Sequence, residues 1–253
     1  MPIVTLTSDW GHRDHYVAML KGGLLSLGKD VSLVDISHDV KDFDVNEAAF
    51  MVREALPHFS EGSIHFIGVE CVPTEDSPLV VGRLDGRYVI WVNNGFMSLI
   101  REEMELVAVN LNGEKFSILK HIPALIQRIV AGEELASLGK VVDLKKLVPK
   151  MPIIQENMIR GHIIHIDSHG NAITNISHEC FDEVAKGREG MVFFSSNLYK
   201  SRVHSAYTDV PDGQPVAFFN SQSLLEVACC HGNAHKIYRL NKDTSSIMVK
   251  FEI

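Results

Sequence analysis

The chain has 253 residues, enough for one large or two moderate domains, and its 45% apolar and 22% charged content is typical of a globular protein with a sizeable core. The formal net charge of −8 and a pI near 5.9 provide no basic surface for a polyanion. These numbers argue against a nucleic-acid partner and favour a small-molecule ligand.

The first half of the sequence predicts alternating strands and helices. A β-branched run at 3–7 predicts a strand that ends in Ser8-Asp9, and apolar residues follow at helical spacing from Tyr16 until Gly28. A strand at 32–36, a helix at about 45–56 and a strand at 63–69 come next. This βαβαβ order is typical of a mostly parallel sheet with helices on its faces, where ligands bind at the carboxyl ends of the strands.

Two further strands, 79–84 and 87–92, and a helix at about 123–130 complete the predicted N-terminal α/β domain. Prolines and charges interrupt the pattern after residue 133, so we expect the inter-domain linker there. Beyond it, one weak helix near 179–186 accompanies short strand-like runs at 162–167, 191–194, 215–219 and 247–252. The sequence therefore predicts an α/β domain over 1–145, a linker over 146–160 and a smaller β-rich domain over 161–253.

Asp9 is the first candidate for a ligand contact. A carboxylate at a strand end, followed by glycine, can accept two hydrogen bonds from a vicinal diol such as ribose. The alternative is that Asp9 caps the next helix, although Asp14 is also available for that role. From this loop alone both interpretations remain open.

A second polar cluster follows the predicted strand at 162–167. Asn171 could pair with a purine edge while Asp167 engages an ammonium group, so this turn could bind both ends of an adenosyl amino acid. The alternative is an ordinary hairpin turn, which Asp, Asn and Gly favour unaided. Two weaker clusters, 220–223 and 232–234, flank an apolar run that contains Glu226.

Other chemistries find less support in the sequence. The thirteen histidines include His162, His165 and His169, but strand alternation separates the first two, so we expect no metal site. No glycine-rich phosphate loop or Gly-x-Ser-x-Gly motif occurs, and the adjacent Cys229 and Cys230 are interpreted as packing residues. The four irregularly spaced cysteines, the lack of an export signal and the lack of a membrane-spanning run predict a cytoplasmic protein without membrane contact.

Taken together, the ordered motifs resemble one family, the S-adenosylmethionine hydroxide adenosyltransferases, which are relatives of the fluorinating and chlorinating adenosyl enzymes. The resemblance spans nearly the whole chain. It depends on Thr5-Leu6-Thr7-Ser8-Asp9-Trp10-Gly11, Val34-Asp35-Ile36-Ser37-His38, Phe43-Asp44-Val45, Glu61-Gly62-Ser63-Ile64-His65, Asn94-Gly95, Ile166-Asp167, Gly170-Asn171-Ala172-Ile173-Thr174-Asn175-Ile176, Asn220-Ser221, Leu225-Glu226-Val227-Ala228 and Gly232-Asn233-Ala234.

The resemblance implies an N-terminal α/β domain, a barrel-like C-terminal domain and a homotrimer with ligand sites between neighbouring subunits. It implies no cofactor, because S-adenosylmethionine is itself the substrate or ligand. Asp9 would hold the ribose hydroxyls, Phe43 would pack near the sugar and Asn171 would meet the purine edge. The remaining implied contacts are Tyr207 on the adenine face, Asp167 and Ser221 on the methionine ammonium and carboxylate, Gln222 in place of a frequent partner, and His169 where many relatives have an aromatic residue.

In the family, a small anion or water attacks the ribose C5′ and methionine leaves as a neutral thioether, so the protein mainly aligns and desolvates the nucleophile. The water-using members bring together an Asp, an Arg and a His. Here the corresponding loop is one residue shorter: Glu70 can replace the Asp, but Asp76 lies where the Arg belongs. No histidine aligns without a gap, although Ser117, Lys120 or His121 could approach the water site.

Two hypotheses follow. The first is an enzyme that hydrolyses S-adenosylmethionine to adenosine and methionine with Glu70, Lys120 and His121 in an altered water site. The second is a non-catalytic binder of an adenosyl ligand that has lost the nucleophile site. Halide use is a weaker third option, since the carboxylates of Glu70 and Asp76 should repel an anion.

Overall fold

The computed structural model describes residues 2–26, 31–111, 118–196 and 198–252. The chain divides into two compact units, Met1–Val148 and Pro149–Ile253. This division falls inside the predicted linker, 146–160, and two strands begin within the same range, at 153 and 158. The prolines that interrupt the sequence pattern precede this hairpin and do not prevent it. Within the described ranges, none of the helices has the length and apolar character needed to span a bilayer.

The first unit is built on one mixed sheet. Its described strands are β1 (Ile3–Ser8), β2 (Ser32–Ser37), β3 (Ile64–Gly68), β4 (Leu79–Leu84), β5 (Arg87–Val92), β6 (Leu106–Val109) and β7 (Gly139–Val141), in the order β2-β1-β3-β5-β4-β6-β7. The first four in this order pair in parallel and the last three join through antiparallel pairings. Five of these strands therefore point the same way, which confirms the predicted mostly parallel sheet.

Helices cover both faces of this sheet. The described helices of the unit are α1 (Tyr16–Leu25), α2 (Val45–Ala55), α3 (Ile118–Val130) and the short α4 (Leu135–Leu138). Apolar residues of α1 and α3 share one core with β1, and those of α2 form a second core on the opposite face. This is the doubly covered arrangement that places ligand sites at the carboxyl edge of the parallel strands.

Two helix boundaries differ from the prediction. α3 begins five residues before the predicted start and continues through Pro123, whose ring lies against α1: a Cβ added to Gly23 would come within 2.9 Å of it. The absence of a side chain at Gly23 lets the two helices approach closely enough to hold the proline inside the helix. α1 ends at Leu25, while its predicted stop at Gly28 lies outside the described residues.

The second unit is a closed β-barrel. Its described strands are β8 (Ile153–Gln155), β9 (Met158–Ile166), β10 (Ala172–Ser177), β11 (Gly190–Phe194), β12 (Tyr199–His204), β13 (Pro215–Phe219), β14 (Leu224–Cys229) and β15 (Ser246–Phe251). The pairing of β10 with β9 closes a barrel of seven strands, and β8 adds to its edge. Closure confirms the β-rich, barrel-like domain.

Two described helices accompany the barrel, α5 (His178–Ala185) and the short α6 (Ala234–Ile237). The predicted helix near 179–186 is confirmed as α5, which Ser177 caps by accepting the backbone N–H of Cys180. Strands β10 and β12 were not predicted. β12 consists mainly of polar residues. Half of the residues of β10 are polar, and the two Asn residues of the stretch 171–176 favour a turn when the cross-strand partners are unknown.

Candidate functional site

Asp9 joins the ends of three neighbouring strands. Its Oδ2 accepts the backbone N–H of Phe43 at 3.0 Å and that of Glu70 at 3.2 Å. These residues follow β2 and β3, which flank β1 in the sheet, so their loops meet at the carboxyl edge. Oδ1 takes part in neither bond. The helix-cap alternative is wrong, because α1 starts after His15 with no side-chain cap.

Both residues that donate to Asp9 have a left-handed backbone, with φ of 62° at Phe43 and 45° at Glu70. Such conformations cost about 1–3 kcal/mol for residues other than glycine and persist where surrounding contacts impose them. Phe43 is 71% exposed, which is unusual for an aromatic ring. The carboxylate therefore holds an exposed aromatic ring and an exposed glutamate on either side of itself.

Asn94 extends this cluster and was not predicted as a site residue. Its Nδ2 donates to the carbonyl of Val69 at 3.4 Å and to that of Glu70 at 3.3 Å. Asn94 lies just beyond the end of β5, the next parallel strand, so the clustering of polar groups at one sheet edge could have indicated it.

A chain of polar side chains, buried at Ser8 and His38 and partly exposed at Asp35 and Lys21, underlies the Asp9 loop. Ser8 Oγ lies 2.7 Å from His38 Nδ1, and His38 Nε2 lies 3.1 Å from Asp35 Oδ1. Lys21 Nζ donates to the other oxygen of Asp35 at 2.5 Å. Ser8 and His38 are each 1% exposed, so the serine is not presented to a substrate, and burial lowers the pKa of His38. The chain serves to hold the ends of β1 and β2 in register.

The loop after β3 combines acidic groups with one lysine from a distant segment. Glu70 and Asp76 are both exposed, and burial together with Asp9 raises the pKa of the Cys71 thiol to about 11. Lys145 Nζ donates to Ser77 Oγ at 2.9 Å, and the buried Asn93 accepts the Lys145 backbone N–H. Sequence reasoning missed this cation because Lys145 stands 68 residues from Ser77.

Lys120 and His121 belong to a different element, the first described turn of α3. Lys120 is exposed and His121 is half-buried. The packing of α3 on α1, and not the strand ends, therefore sets their positions. Ser117 lies outside the described residues. The catalytic assignment of Glu70, Lys120 and His121 stays a prediction.

In the second unit, Asp167 organises the turn between β9 and β10. Its Oδ1 accepts the backbone N–H groups of His169 at 3.0 Å and Asn171 at 2.8 Å, and its Oδ2 accepts from Asn171 Nδ2 at 3.3 Å. The hairpin-turn interpretation is thus correct for the backbone. His169 is exposed at the tip, whereas Asp167 and Asn171 are half-buried.

Asn171 has one buried oxygen that is not satisfied. Its amide nitrogen lies between two carboxylates, Asp167 and Glu226, which both require a donor and so fix the orientation of the amide. Over the described residues, Oδ1 of Asn171 is buried with no hydrogen-bond partner. A buried acceptor without a hydrogen bond destabilises the folded protein by about 1–3 kcal/mol unless a ligand supplies the donor.

Glu226 connects this turn to the turn between β13 and β14. The side chain is only 7% exposed, and its Oε2 accepts from Asn220 Nδ2 at 3.0 Å. Burial raises the pKa of Glu226. Asn220 Oδ1 in turn accepts the backbone N–H of Gln222, beside the exposed Ser221. Glu226 is therefore a candidate site residue. The sequence analysis places it between two polar clusters but does not predict it as a ligand contact.

Tyr207 lies at the barrel end that carries the Asp167 turn. Its hydroxyl donates to the Cys229 carbonyl and accepts the His231 backbone N–H, both at 2.7 Å. The segment that follows also contacts the Asp167 turn, since His235 donates its backbone N–H to the Gly170 carbonyl at 2.8 Å. The half-buried ring of Tyr207 is thus fixed at its polar end.

The fold defines a two-domain protein, an α/β unit followed by a β-barrel, and each unit carries its own cluster of carboxylate and amide groups. Family models described as the SAM hydroxide adenosyltransferase N-terminal and C-terminal domains match residues 4–131 and 161–246. The chain belongs to the S-adenosylmethionine hydroxide adenosyltransferase family.

Known relatives span nearly the whole chain. An (R)-S-adenosyl-L-methionine hydrolase of Methanocaldococcus jannaschii is 26% identical over 96% of this chain and 93% of its own length. A fluorinase of Nocardia brasiliensis is 40% identical over 90% of each chain. The crystal structure of an uncharacterized conserved protein from Thermotoga maritima has the same fold, with a TM-score of 0.83, 21% identity and coverage of 98% of this chain and 99% of that one.

Proposed function

We propose that this protein binds S-adenosylmethionine and hydrolyses it to adenosine and L-methionine. The observation that carries the proposal is the buried, unpartnered Oδ1 of Asn171, an acceptor suited to the exocyclic amine of adenine. Relatives named as S-adenosylmethionine hydrolases over almost the entire chain support the same ligand. The four free thiols support a reducing, cytoplasmic setting.

In this proposal the Asp9 cluster contacts the ribose, and the Asp167 cluster contacts adenine and methionine. Asp9, already oriented by two backbone amides, accepts hydrogen bonds from the ribose hydroxyls, and Phe43 covers the sugar. Tyr207 offers its ring to adenine. Asp167, next to the second carboxylate Glu226, attracts the methionine ammonium, while Ser221 and Gln222 bind the methionine carboxylate and His169 lines the same turn.

The chemical step is an in-line substitution at the ribose C5′. The water oxygen forms a bond to C5′, the C5′–S bond breaks with its electron pair going to sulfur, and the water proton passes to a base. Glu70 is the proposed base, because its backbone is fixed by Asp9 and its side chain is exposed at the same edge. The sulfonium is an activated leaving group, so alignment of the water supplies most of the acceleration.

A second candidate function is that of a non-catalytic binder of an adenosyl ligand. It is favoured by the exposed carboxylates of Glu70 and Asp76, which do not stabilise a hydroxide-like nucleophile. Either function accommodates a homotrimer with ligand sites between neighbouring subunits, which we propose from the family resemblance. Light scattering after gel filtration measures the mass of the assembly, and we expect three times the mass of one chain.

Turnover and binding must be measured on the same sample. The purified protein is incubated with S-adenosylmethionine, adenosine and methionine are followed by chromatography, and binding is titrated calorimetrically. We expect the Glu70→Gln variant to lose about 100-fold or more of the turnover with affinity changed less than about threefold. Glu75→Gln, in the same loop, is the matched control. Binding without turnover would contradict the hydrolase function and leave the non-catalytic one. If the protein does not bind S-adenosylmethionine, both functions are contradicted.

A further inference from the structure

Three side chains with metal-binding atoms converge at one end of the barrel, apart from the residues assigned to the adenosyl ligand. His231 Nδ1 lies 2.8 Å from Asp212 Oδ1, and Cys230 Sγ lies 3.9 Å from the same oxygen. All three atoms lie within 4.8 Å of one another. We propose that Asp212, Cys230 and His231 bind a thiophilic divalent cation of the Zn²⁺ class.

The backbone holds the three residues in place before any cation arrives. Residues 211–214 lead into β13 and 230–232 follow β14, and the two segments are hydrogen-bonded to each other. Gly213 donates its N–H to the Cys230 carbonyl at 2.7 Å, and Cys230 donates its own to the Gln214 carbonyl at 3.0 Å. His231 has φ of 50° and donates its N–H to Tyr207. This left-handed residue is what allows adjacent Cys and His side chains to face one carboxylate.

The distances suit a tetrahedral cation. Zinc bonds of about 2.3 Å to sulfur and about 2.0–2.2 Å to nitrogen or oxygen require ligand atoms roughly 3.3–3.6 Å apart. The 2.8 Å between His231 and Asp212 and the 3.9 Å between Cys230 and Asp212 lie within about half an ångström of this range, and the Cys230 and His231 atoms lie at most 4.8 Å apart. Three ligands leave a fourth position for water.

The donor set selects the class of cation. Sulfur and imidazole disfavour Ca²⁺ and Mg²⁺, which prefer oxygen ligands, and favour Zn²⁺ or Co²⁺. The same trio is poorly arranged as a catalytic nucleophile, because Asp212 stands beside the thiol. A bound cation gives the carboxylate and the sulfur a common partner.

The three proposed ligands differ in solvent exposure. Cys230 is 2% exposed, whereas the side chains of His231 and Asp212 are 67% and 80% exposed. An ion can therefore approach from the side of the carboxylate and imidazole. For the same reason His231→Gln and Asp212→Asn are surface changes that leave the barrel intact, while Cys230→Ser alters a buried position.

Cobalt binding by the full, reduced and metal-free chain tests the proposal, with Zn²⁺ as competitor. We expect one equivalent of Co²⁺ and thiolate-to-cobalt charge-transfer absorption in wild type, loss of that band in Cys230→Ser, and about tenfold or more weaker Zn²⁺ binding in His231→Gln and in Asp212→Asn. Cys180→Ser, which changes a half-buried thiol on α5, should behave as wild type.

Several outcomes would overturn the proposal. They are the lack of a charge-transfer band in wild type, a band that persists in Cys230→Ser or disappears in Cys180→Ser, and unchanged Zn²⁺ affinity in both surface variants. Circular dichroism of the His231→Gln and Asp212→Asn variants confirms that weaker binding reflects the lost ligand and not an unfolded barrel. The measurement requires no adenosyl ligand, so its result is independent of the proposed function.

Discussion

The Asp9 and Asp167 clusters are built in opposite ways. Asp9 accepts hydrogen bonds from residues 34 and 61 positions away, which belong to two other strand-end loops. Asp167 accepts from residues two and four positions ahead in its own hairpin turn. The first carboxylate is held by the sheet and the second by its own turn. A local motif can thus be recognised as a turn from sequence, whereas a strand-end carboxylate acquires its partners only when the sheet forms.

Two buried titratable groups, one in each unit, have pKa shifts of opposite direction. In the first unit, His65 is buried between Thr5 and Ser63, and burial lowers its pKa to about 4. In the second unit, burial raises the pKa of Glu226. Burial disfavours the charged form of both groups, so protonation in acid destabilises the fold around His65, and deprotonation at higher pH destabilises the fold around Glu226.

The largest expected effect comes from Asp9→Ala. Loss of the carboxylate removes the proposed ribose contact and releases the amides of Phe43 and Glu70, so adenosine affinity should fall about 100-fold or more, since hydrogen bonds to charged groups contribute about 1.5–3 kcal/mol each. Calorimetry measures the affinity and hydrogen exchange the two amides. Asp14→Ala, an exposed carboxylate in the same loop, is the control. Wild-type affinity in Asp9→Ala would remove the ribose assignment.

Asn171→Ala should weaken adenosine binding by about 10- to 100-fold, because the amine of the ligand loses its buried acceptor. Selectivity is the sharper readout: wild type should prefer adenosine to inosine, which has no exocyclic amine, and the variant should lose the preference. Asn241→Ala, in an exposed turn of the same unit, should keep it. Equal affinity of wild type for both nucleosides would argue against Asn171 as the purine contact.

Acid should destabilise the first unit through His65. Since the folded pKa is about 4 and the ordinary value 6.5, stability is fully present above 6.5 and falls as the pH drops towards 4, by about 2 kcal/mol at pH 5. Trp10 and Trp91 are the two tryptophans and both lie in this unit, so their fluorescence in denaturant titrations reports it selectively. His65→Gln should flatten the pH dependence, whereas exposed His58→Gln should retain it. Equal slopes in wild type and His65→Gln would contradict the assignment.

The smallest effect, with the opposite sign, is expected from Glu226→Gln. Because the folded pKa is raised, the contribution of Glu226 is present at low pH and declines as the pH rises through that pKa. The variant removes this decline while keeping a side chain of the same size beside Asn220. Hydrogen exchange of β10 and β14 between pH 5 and pH 8 measures the difference. Exposed Glu179→Gln is the control, and a variant that still loses protection at pH 8 would contradict the prediction.

Several features could be predicted because they depend on short-range pattern. The βαβαβ order follows from β-branched runs that alternate with helical spacing, and the capping role of Asp44 at α2 explains why that helix starts where its apolar period begins. The Asp167 turn was also visible, since Asp, Gly and Asn within five residues favour it. The residues between Ile118 and Pro123 were missed because proline normally ends a helix, and here Gly23 of another helix accommodates the ring.

By itself, the sequence determined the alternating elements of the first unit, the β-rich character of the second and the polar residues at strand ends and turns, since each depends on periodicity or turn chemistry within a few residues. Only the tertiary structure decided that Asp9 orients Phe43 and Glu70, that the Asn171 amide nitrogen lies between two carboxylates and leaves its oxygen unsatisfied, and that Lys145 reaches the acidic loop. The reason is that strand pairing brings together residues that are far apart in the sequence. Their hydrogen-bond partners and their burial therefore cannot be predicted from local sequence patterns.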